Sequence, residues 1–251
     1  MIERIAEASP RVQDRIAGFL YLIVIVGGIF AEIFVRGRLV VHGDAAATAH
    51  NIATHELLYR WGFAVELFYC AFCNLPITLI FYNLFKVVNK NVALLMVFFD
   101  LVVTAIESIS LLAHYAPLVF LENGHYLNAF TAEQLQAATY MSVQLFELGF
   151  AMSLVFFGFD LFLLAYLIVK STFFPRIIGV LLGIEGLGYL INSFALFLAP
   201  ALQARIFPYF AVTAIAEVAL CLWLLVMGVN VQRWKEQAIA ARLRSNEAPG
   251  S

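Results

Sequence analysis

Six long apolar stretches restrict this chain to a membrane. A spanning helix needs about 20 mostly apolar residues, and 63% of the 251 residues are apolar, against about 45 to 50% in soluble domains. The sequence therefore predicts an all-α, polytopic membrane bundle of six transmembrane helices. Division at charged, Pro-containing or Gly-containing breaks places them at Ile16–Val35, Leu57–Phe85, Val92–Tyr115, Ala137–Val169, Ile177–Leu198 and Pro208–Val231.

The distribution of Lys and Arg predicts the orientation of these spans, because short cytoplasmic loops keep positive charge. Eleven basic residues fall on the side of the termini, and the other side carries four: Arg36, Arg38, Arg60 and Arg205. Both termini are therefore expected in the cytoplasm. We expect one transmembrane domain at 1–232, opening with a short cytoplasmic helix at 1–15, and a basic cytoplasmic tail at 233–251.

Two loops carry helix-start signals. Asp44 can cap an external helix that leads into the second span, because its carboxylate accepts from free amides at a helix start. Pro117, Asn123 and Gly124 are expected to break the chain after the third span, and Thr131 and Gln134 then have capping-box spacing. The tail from Arg233 is expected to continue as a partly amphipathic helix that contacts anionic lipid headgroups through Lys235, Arg242 and Arg244.

Carboxylates inside the apolar spans are the feature most relevant to function. An acidic side chain near the centre of a membrane helix costs about 3 kcal/mol on insertion scales, so these groups need protonation, hydrogen bonds, water or a cation. With every Lys and Arg assigned to one side or the other, the acids are expected to lack a basic partner. They are Glu32, Glu66, Asp100, Glu107, Glu147, Asp160, Glu185 and Glu217.

Helical spacing places several of these acids on shared faces, because seven residues return a helix almost to its starting direction. Asp100, Glu107 and His114 follow this step, as do Glu185 and Asn192. We therefore predict an acidic intramembrane cavity that binds a ligand or protons. Its predicted residues are Glu32, Glu66, Asp100, Glu107, His114, Glu147, Glu185, Asn192 and Glu217.

Structural roles compete with this prediction. Protonated carboxyls can simply hydrogen-bond between helices, and His114 can be an interfacial anchor, a proton shuttle or, with His55 and Glu56, a metal ligand. Cys70 and Cys73 form a CxxC without visible positive charge to stabilise a thiolate. The glycines of the fifth span predict close helix packing: Gly179, Gly183, Gly186 and Gly188.

Five segments resemble a bacterial integral-membrane family, domain of unknown function 4386. The similarity implies a multi-pass protein of a prokaryotic cytoplasmic (inner) membrane with one helical domain, and it supplies no activity or catalytic residues. The segments are Arg15 to Leu22 (RIAGFLYL), Phe34 to Leu39 (FVRGRL), Gly43 to Ile52 (GDAAATAHNI), Phe174 to Leu182 (FPRIIGVLL) and Gly186 to Phe194 (GLGYLINSF).

Three functions fit these patterns. The acidic cavity favours a protein that binds or transports a proton, a metal ion or a small cationic or amphipathic molecule. An accessory or sensor subunit of a membrane complex is the first alternative, and an intramembrane enzyme acting on a lipid or isoprenoid is the second. The bilayer is the expected partner and nucleic acid is not. The sequence indicates no particular cofactor, metal or protein partner and leaves enzymatic activity open.

Overall fold

A computed structural model describes residues 9–122, 124–203, 205 and 215–247. These residues form helices and contain no β-strand, as the hydrophobic pattern predicts. In chain order we label the helices α1 (Pro10–Leu39), α2 (Ala45–Thr54), α3 (Glu56–Phe85), α4 (Lys90–Phe120), α5 (Ala132–Lys170), α6 (Arg176–Leu198), α7 (Ile215–Val226) and α8 (Val231–Glu247).

Five of the described helices are long and apolar enough to cross a membrane: α1, α3, α4, α5 and α6. A sixth span results if α7 and α8 count as one, although the two are bent by 100° where they meet. The predicted sixth span begins at Pro208, and its residues 208–214 lie outside the described residues. The chain is thus a polytopic, all-α membrane protein. Which side of the membrane holds the termini stays a prediction.

The predicted helix starts are confirmed at both loops. The Asp44 carboxylate accepts from the Ala47 amide at 2.8 Å and caps α2. Before α5, the Thr131 amide donates to Gln134 Oε1 at 2.9 Å, and the Gln134 amide donates to Thr131 Oγ1 at 3.3 Å. These reciprocal bonds satisfy amides that an uncapped helix would leave free.

Two predicted helix ends are wrong. α4 continues through Pro117 to Phe120, because one missing backbone donor is tolerated in a membrane helix when neighbouring groups satisfy the freed carbonyl. α1 continues four residues beyond Val35, to Leu39. The second difference matters for function because it puts Arg36 inside a helix and not in a loop.

The described residues cluster into two compact units. Unit 1 contains the described residues within Met1–Leu22, Asn74–Val103 and Leu154–Ser251, and unit 2 contains those within Ile23–Cys73 and Thr104–Ser153. Four helices, α1, α3, α4 and α5, each contribute one part to each unit. The division into a transmembrane domain at 1–232 and a tail stays a prediction.

Each unit has its own core. In unit 2, buried side chains from α1 to α5 pack together: Val35, Leu39, Ile52, Tyr59, Leu118 and Val143. In unit 1, the rings of Phe85, Phe173 and Phe174 pack together with centroids 5.5 to 5.8 Å apart.

The predicted tail helix is present as α8 and is attached to unit 1. Its Trp234 indole donates to the Leu84 carbonyl at 2.9 Å, and Gln237 Oε1 accepts from the Thr172 amide at 3.0 Å. Just before it, the Val229 amide donates to the Asp14 carboxylate at 2.6 Å. The helix exposes Ile239, Arg233 and Lys235, and its contact with anionic lipid stays a prediction.

Candidate functional site: a buried ionic cluster in unit 2

Arg36 enters unit 2 through a widened turn of α1. Residues Phe30–Arg36 form a π-helix, a rare geometry that is frequent at functional sites. The Arg36 side chain is buried, with 8% of the residue exposed. The expectation that the acids have no basic partner is therefore wrong for this unit, because α1 does not end before Arg36.

Arg36 bridges two of the predicted acids. Its Nη1 donates to Glu66 Oε1 at 2.6 Å, while Nε and Nη2 donate to Glu32 Oε2 at 2.9 and 2.7 Å. The guanidinium also lies 4.7 Å from the ring centre of Phe146. Such planar, forked donation is what distinguishes Arg from Lys in buried ion pairs.

His114 contacts the other oxygen of the same carboxylate. Its Nδ1 lies 2.6 Å from Glu66 Oε2, and the two residues are 1% and 2% exposed. The imidazole packs against the rings of Tyr59 and Phe146, with centroids at 4.8 and 5.0 Å. We call Arg36, Glu66 and His114 the buried ionic cluster.

The two imidazole nitrogens have different neighbours. Neither makes a hydrogen bond of ordinary geometry within the part of the chain that the structure describes, but Nδ1 faces the Glu66 carboxylate. The Tyr59 hydroxyl donates to the backbone carbonyl of His114 at 2.8 Å and not to a nitrogen of its ring. The cluster thus contains one nitrogen that can still accept a proton.

A small cavity connects Glu66 with Glu107. Its volume of about 10 Å³ is about what one water molecule requires. The Glu107 carboxylate accepts from the Ser153 hydroxyl at 3.3 Å and faces the Cys70 thiol at 3.6 Å. The cavity is lined by Glu66, Tyr69, Cys70, Glu107, Ser110, Leu111, Phe146 and Phe150.

Glu32 and Glu147 occupy the margin of unit 2. The Glu32 side chain is 59% exposed although it pairs with Arg36. Glu147 is half-buried and accepts from the side-chain amide of Gln144 at 3.1 Å. Neither residue lines the small cavity.

The remaining predicted site residues lie in unit 1. Asp100 accepts from the Thr78 hydroxyl and has the buried Asp160 nearby. Asn192 accepts from the Gln203 amide at 3.3 Å, and Glu217 accepts from the Tyr189 hydroxyl at 3.0 Å. Glu185 is fully buried.

The nine predicted site residues therefore divide between the units. Unit 2 contains Glu32, Glu66, Glu107, His114 and Glu147, and unit 1 contains Asp100, Glu185, Asn192 and Glu217. One cavity shared by all nine stays a prediction.

The metal site suggested for His55, Glu56 and His114 is not formed. Among the described residues, no group of three or more His, Cys, Asp or Glu side chains comes together in an arrangement for a metal. His55 Nδ1 instead lies 3.1 Å from the Asn51 carbonyl, and Glu56 pairs with Arg60 at 2.6 Å.

Arg36 is the site residue that the sequence analysis missed. It follows Glu32 by four residues, a spacing that brings opposite charges together on one helix face. That signal was available in the sequence. The Glu66 partner, 30 residues away, had no local signal.

Comparison with known proteins gives a family and a relative, neither of which has a described activity. The family model described as "Domain of unknown function (DUF4386)" matches residues 16–228. An "Uncharacterized protein" of the archaeon Archaeoglobus fulgidus is 27% identical over 164 residues, which are 65% of this chain and 82% of that protein. The similarity thus extends to an archaeon. No solved structure matches the chain.

Proposed function

The chain belongs to the family of domain of unknown function 4386, and from that premise and the geometry of unit 2 we propose that it is a membrane protein that binds and exchanges protons at the buried ionic cluster. The observation that carries this proposal is the 2.6 Å contact between Glu66 Oε2 and His114 Nδ1, combined with the unpartnered Nε2 of the same ring.

The short contact requires a proton between the two residues. A carboxylate oxygen and an unprotonated ring nitrogen are both acceptors and would repel each other at this distance. With the shared proton on Nδ1, the imidazole is neutral and its Nε2 offers a free lone pair. That nitrogen is the atom at which a further proton can bind.

The charges of this group only partly compensate one another. Arg36 carries one positive charge, and its two partners, Glu32 and Glu66, carry two negative charges. With neutral His114 the buried Arg36 and Glu66 balance each other, and the remaining negative charge lies on Glu32, whose side chain is 59% exposed. A proton taken up by the ring is balanced by this exposed carboxylate, which is also bonded to Arg36.

Arg36 also selects against a metal ion. Its guanidinium donates directly to Glu66 and covers one oxygen of that carboxylate. A metal cation at Glu66 would face this positive charge at close range. A proton binds instead at His114, which contacts the other carboxylate oxygen, Oε2. The water-sized cavity lined by Glu66 and Glu107 has room for one water molecule beside the cluster.

Nitrogen-15 NMR of the full chain in lipid nanodiscs tests the proposal. We expect one histidine ring signal, identified by its loss in His114→Gln, to report a change of protonation as the pH is varied. Glu66→Gln should change that signal, because it removes the charged partner of the ring. Infrared spectroscopy of the carboxyl band gives a second readout on Glu66.

Glu133→Gln is the matched control, since it neutralises an exposed acid at the start of α5, in unit 2 but outside the cluster. It should leave the His114 ring signal unchanged. A ring signal that keeps one protonation state throughout the pH range in which the protein stays folded would contradict proton exchange at this cluster.

A further inference from the structure

The last described helix, α8, presents one side to unit 1 and leaves the other side exposed. The side chains of Trp234 and Gln237 bond to backbone groups of unit 1 at 2.9 and 3.0 Å. On the other side, Lys235, Ile239 and Leu243 follow one another at steps of four residues and therefore form one stripe along the helix. Ile239 and Leu243 are 60% and 58% exposed.

The angle of α8 is fixed where α7 ends, since the two helices are bent by 100°. Gly228 adopts a φ of 68°, which favours glycine, and the Val229 amide donates to the Asp14 carboxylate at 2.6 Å. Asn230 Oδ1 accepts from the Arg233 amide at 3.1 Å and caps α8. The chain thus turns almost at a right angle as it leaves α7.

The composition of the chain changes at the same corner. α7 contains one charged residue, Glu217, whereas α8 contains four basic and two acidic residues. An apolar helix followed by a charged one at about a right angle is the arrangement expected where a chain leaves the hydrocarbon region of a bilayer and continues along its surface.

The exposed side of α8 combines apolar bulk with positive charge. Lys235 forms no ion pair with a described Asp or Glu side chain, and Arg242 follows Ile239 by three residues, on the edge of the same stripe. The one acidic residue on this side, Glu236, accepts from the side-chain amide of Gln232 at 3.2 Å. We call this side the outer face of α8: Lys235, Glu236, Ile239, Arg242 and Leu243.

We propose that the outer face of α8 binds the headgroup surface of a bilayer that contains anionic phospholipid. Ile239 and Leu243 enter the boundary between headgroups and acyl chains, and the ammonium of Lys235 and the guanidinium of Arg242 contact phosphates. Basic residues alone were expected to make this contact from the sequence. The structure adds the two apolar side chains and a helix that is already held at one angle.

Charge favours lipid over a second copy of the chain. Two copies joined through this face would bring the same residues together, and each face carries two basic residues against one acidic residue. An anionic lipid surface instead offers negative charge to every basic residue on the face.

Spin-label accessibility in the full chain tests this proposal. The native cysteines are buried, so a nitroxide can be attached selectively at Ile239→Cys, and the labelled chain is placed in nanodiscs of phosphatidylcholine with or without phosphatidylglycerol. With phosphatidylglycerol, the label should collide more with oxygen, which concentrates among acyl chains, and less with a water-soluble nickel complex. High salt should reverse this change, because it screens the attraction.

Two control variants separate α8 from the rest of the surface. A label at Ala46→Cys, an exposed position of α2 in unit 2, should meet the nickel complex equally in both bilayers. Lys235→Gln should lower the ratio of lipid-protected to water-exposed label at position 239 about fivefold, since one basic residue near an anionic surface contributes about that factor. Arg38→Gln, which removes an exposed arginine of unit 2, should leave that ratio unchanged.

Three results would overturn the proposal. Equal nickel accessibility at position 239 with and without phosphatidylglycerol would show that the outer face does not recognise anionic lipid. Protection from both oxygen and nickel would assign the face to a protein contact, such as a second copy of the chain. An effect of Arg38→Gln as large as that of Lys235→Gln would assign the response to net charge and not to α8. Because proton exchange at His114 is measured on other residues, either proposal can fail without the other.

Discussion

At the scale of single residues, Arg36 determines the character of unit 2. Its three bonds to Glu66 and Glu32 hold two acids that would otherwise repel, and it is buried beside the Phe146 ring. A buried ion pair adds little to stability compared with an apolar pair of similar volume, but removing one partner leaves an uncompensated charge. The energetic role of the Arg36–Glu66 pair is therefore measured by the stability lost when one partner is removed.

Arg36→Met should destabilise the protein by about 3 to 5 kcal/mol, because Glu66 loses its cationic partner in a buried site. The double variant Arg36→Met with Glu66→Leu should recover most of that loss. Thermal unfolding in one detergent measures both. Arg60→Met is the control, because Arg60 and Glu56 are largely exposed and such pairs contribute little. A double variant no more stable than Arg36→Met would show that packing, not charge, causes the loss.

At the scale of helices, unit 1 depends on close contact between α5 and α6. An added Cβ at Gly186 would lie 2.7 Å from the Gly158 carbonyl oxygen, and one at Gly158 would lie 2.9 Å from the Gly186 carbonyl oxygen. Gly179 approaches the Ala165 carbonyl oxygen in the same way, at 2.8 Å. The predicted packing role is confirmed at Gly179 and Gly186. Gly183 is different, since its nearest neighbour would be 3.7 Å away.

Gly186→Ala should therefore lower stability by about 1 to 3 kcal/mol, because the new methyl group meets backbone that cannot move aside. Gly183→Ala on the same helix should be close to neutral. Melting temperatures of the two variants in identical detergent provide the measurement. Equal effects at both positions would mean that helix propensity, and not contact with α5, sets the cost.

π-helical turns recur beside the buried ionic cluster. The turn at Phe30–Arg36 carries Glu32 and Arg36, and a second one at Cys70–Asn74 follows Glu66 and Tyr69 on α3. Pro76 comes just after it and cannot donate to the Phe72 carbonyl, which gives this turn a local cause. The turn at Phe30–Arg36 contains no Pro from which it could be predicted.

At the scale of the whole molecule, the distribution of basic residues still predicts both termini in the cytoplasm. The native cysteines Cys70, Cys73 and Cys221 are buried and free, so single cysteines introduced at exposed positions can be labelled selectively. A membrane-impermeant maleimide should label Ala46→Cys in intact cells and Ser9→Cys only after lysis. Labelling of Ser9→Cys in intact cells would reverse the predicted orientation.

By itself, the sequence determined the membrane class, five of the helices and both capped helix starts, because apolar length and capping residues are local properties. It also placed Glu107 and His114 on one helix face by their spacing. Only the tertiary structure decided how these acids are compensated. Glu66 lies 30 residues from Arg36 and 48 from His114 along the sequence, and such pairings depend on which helices pack together.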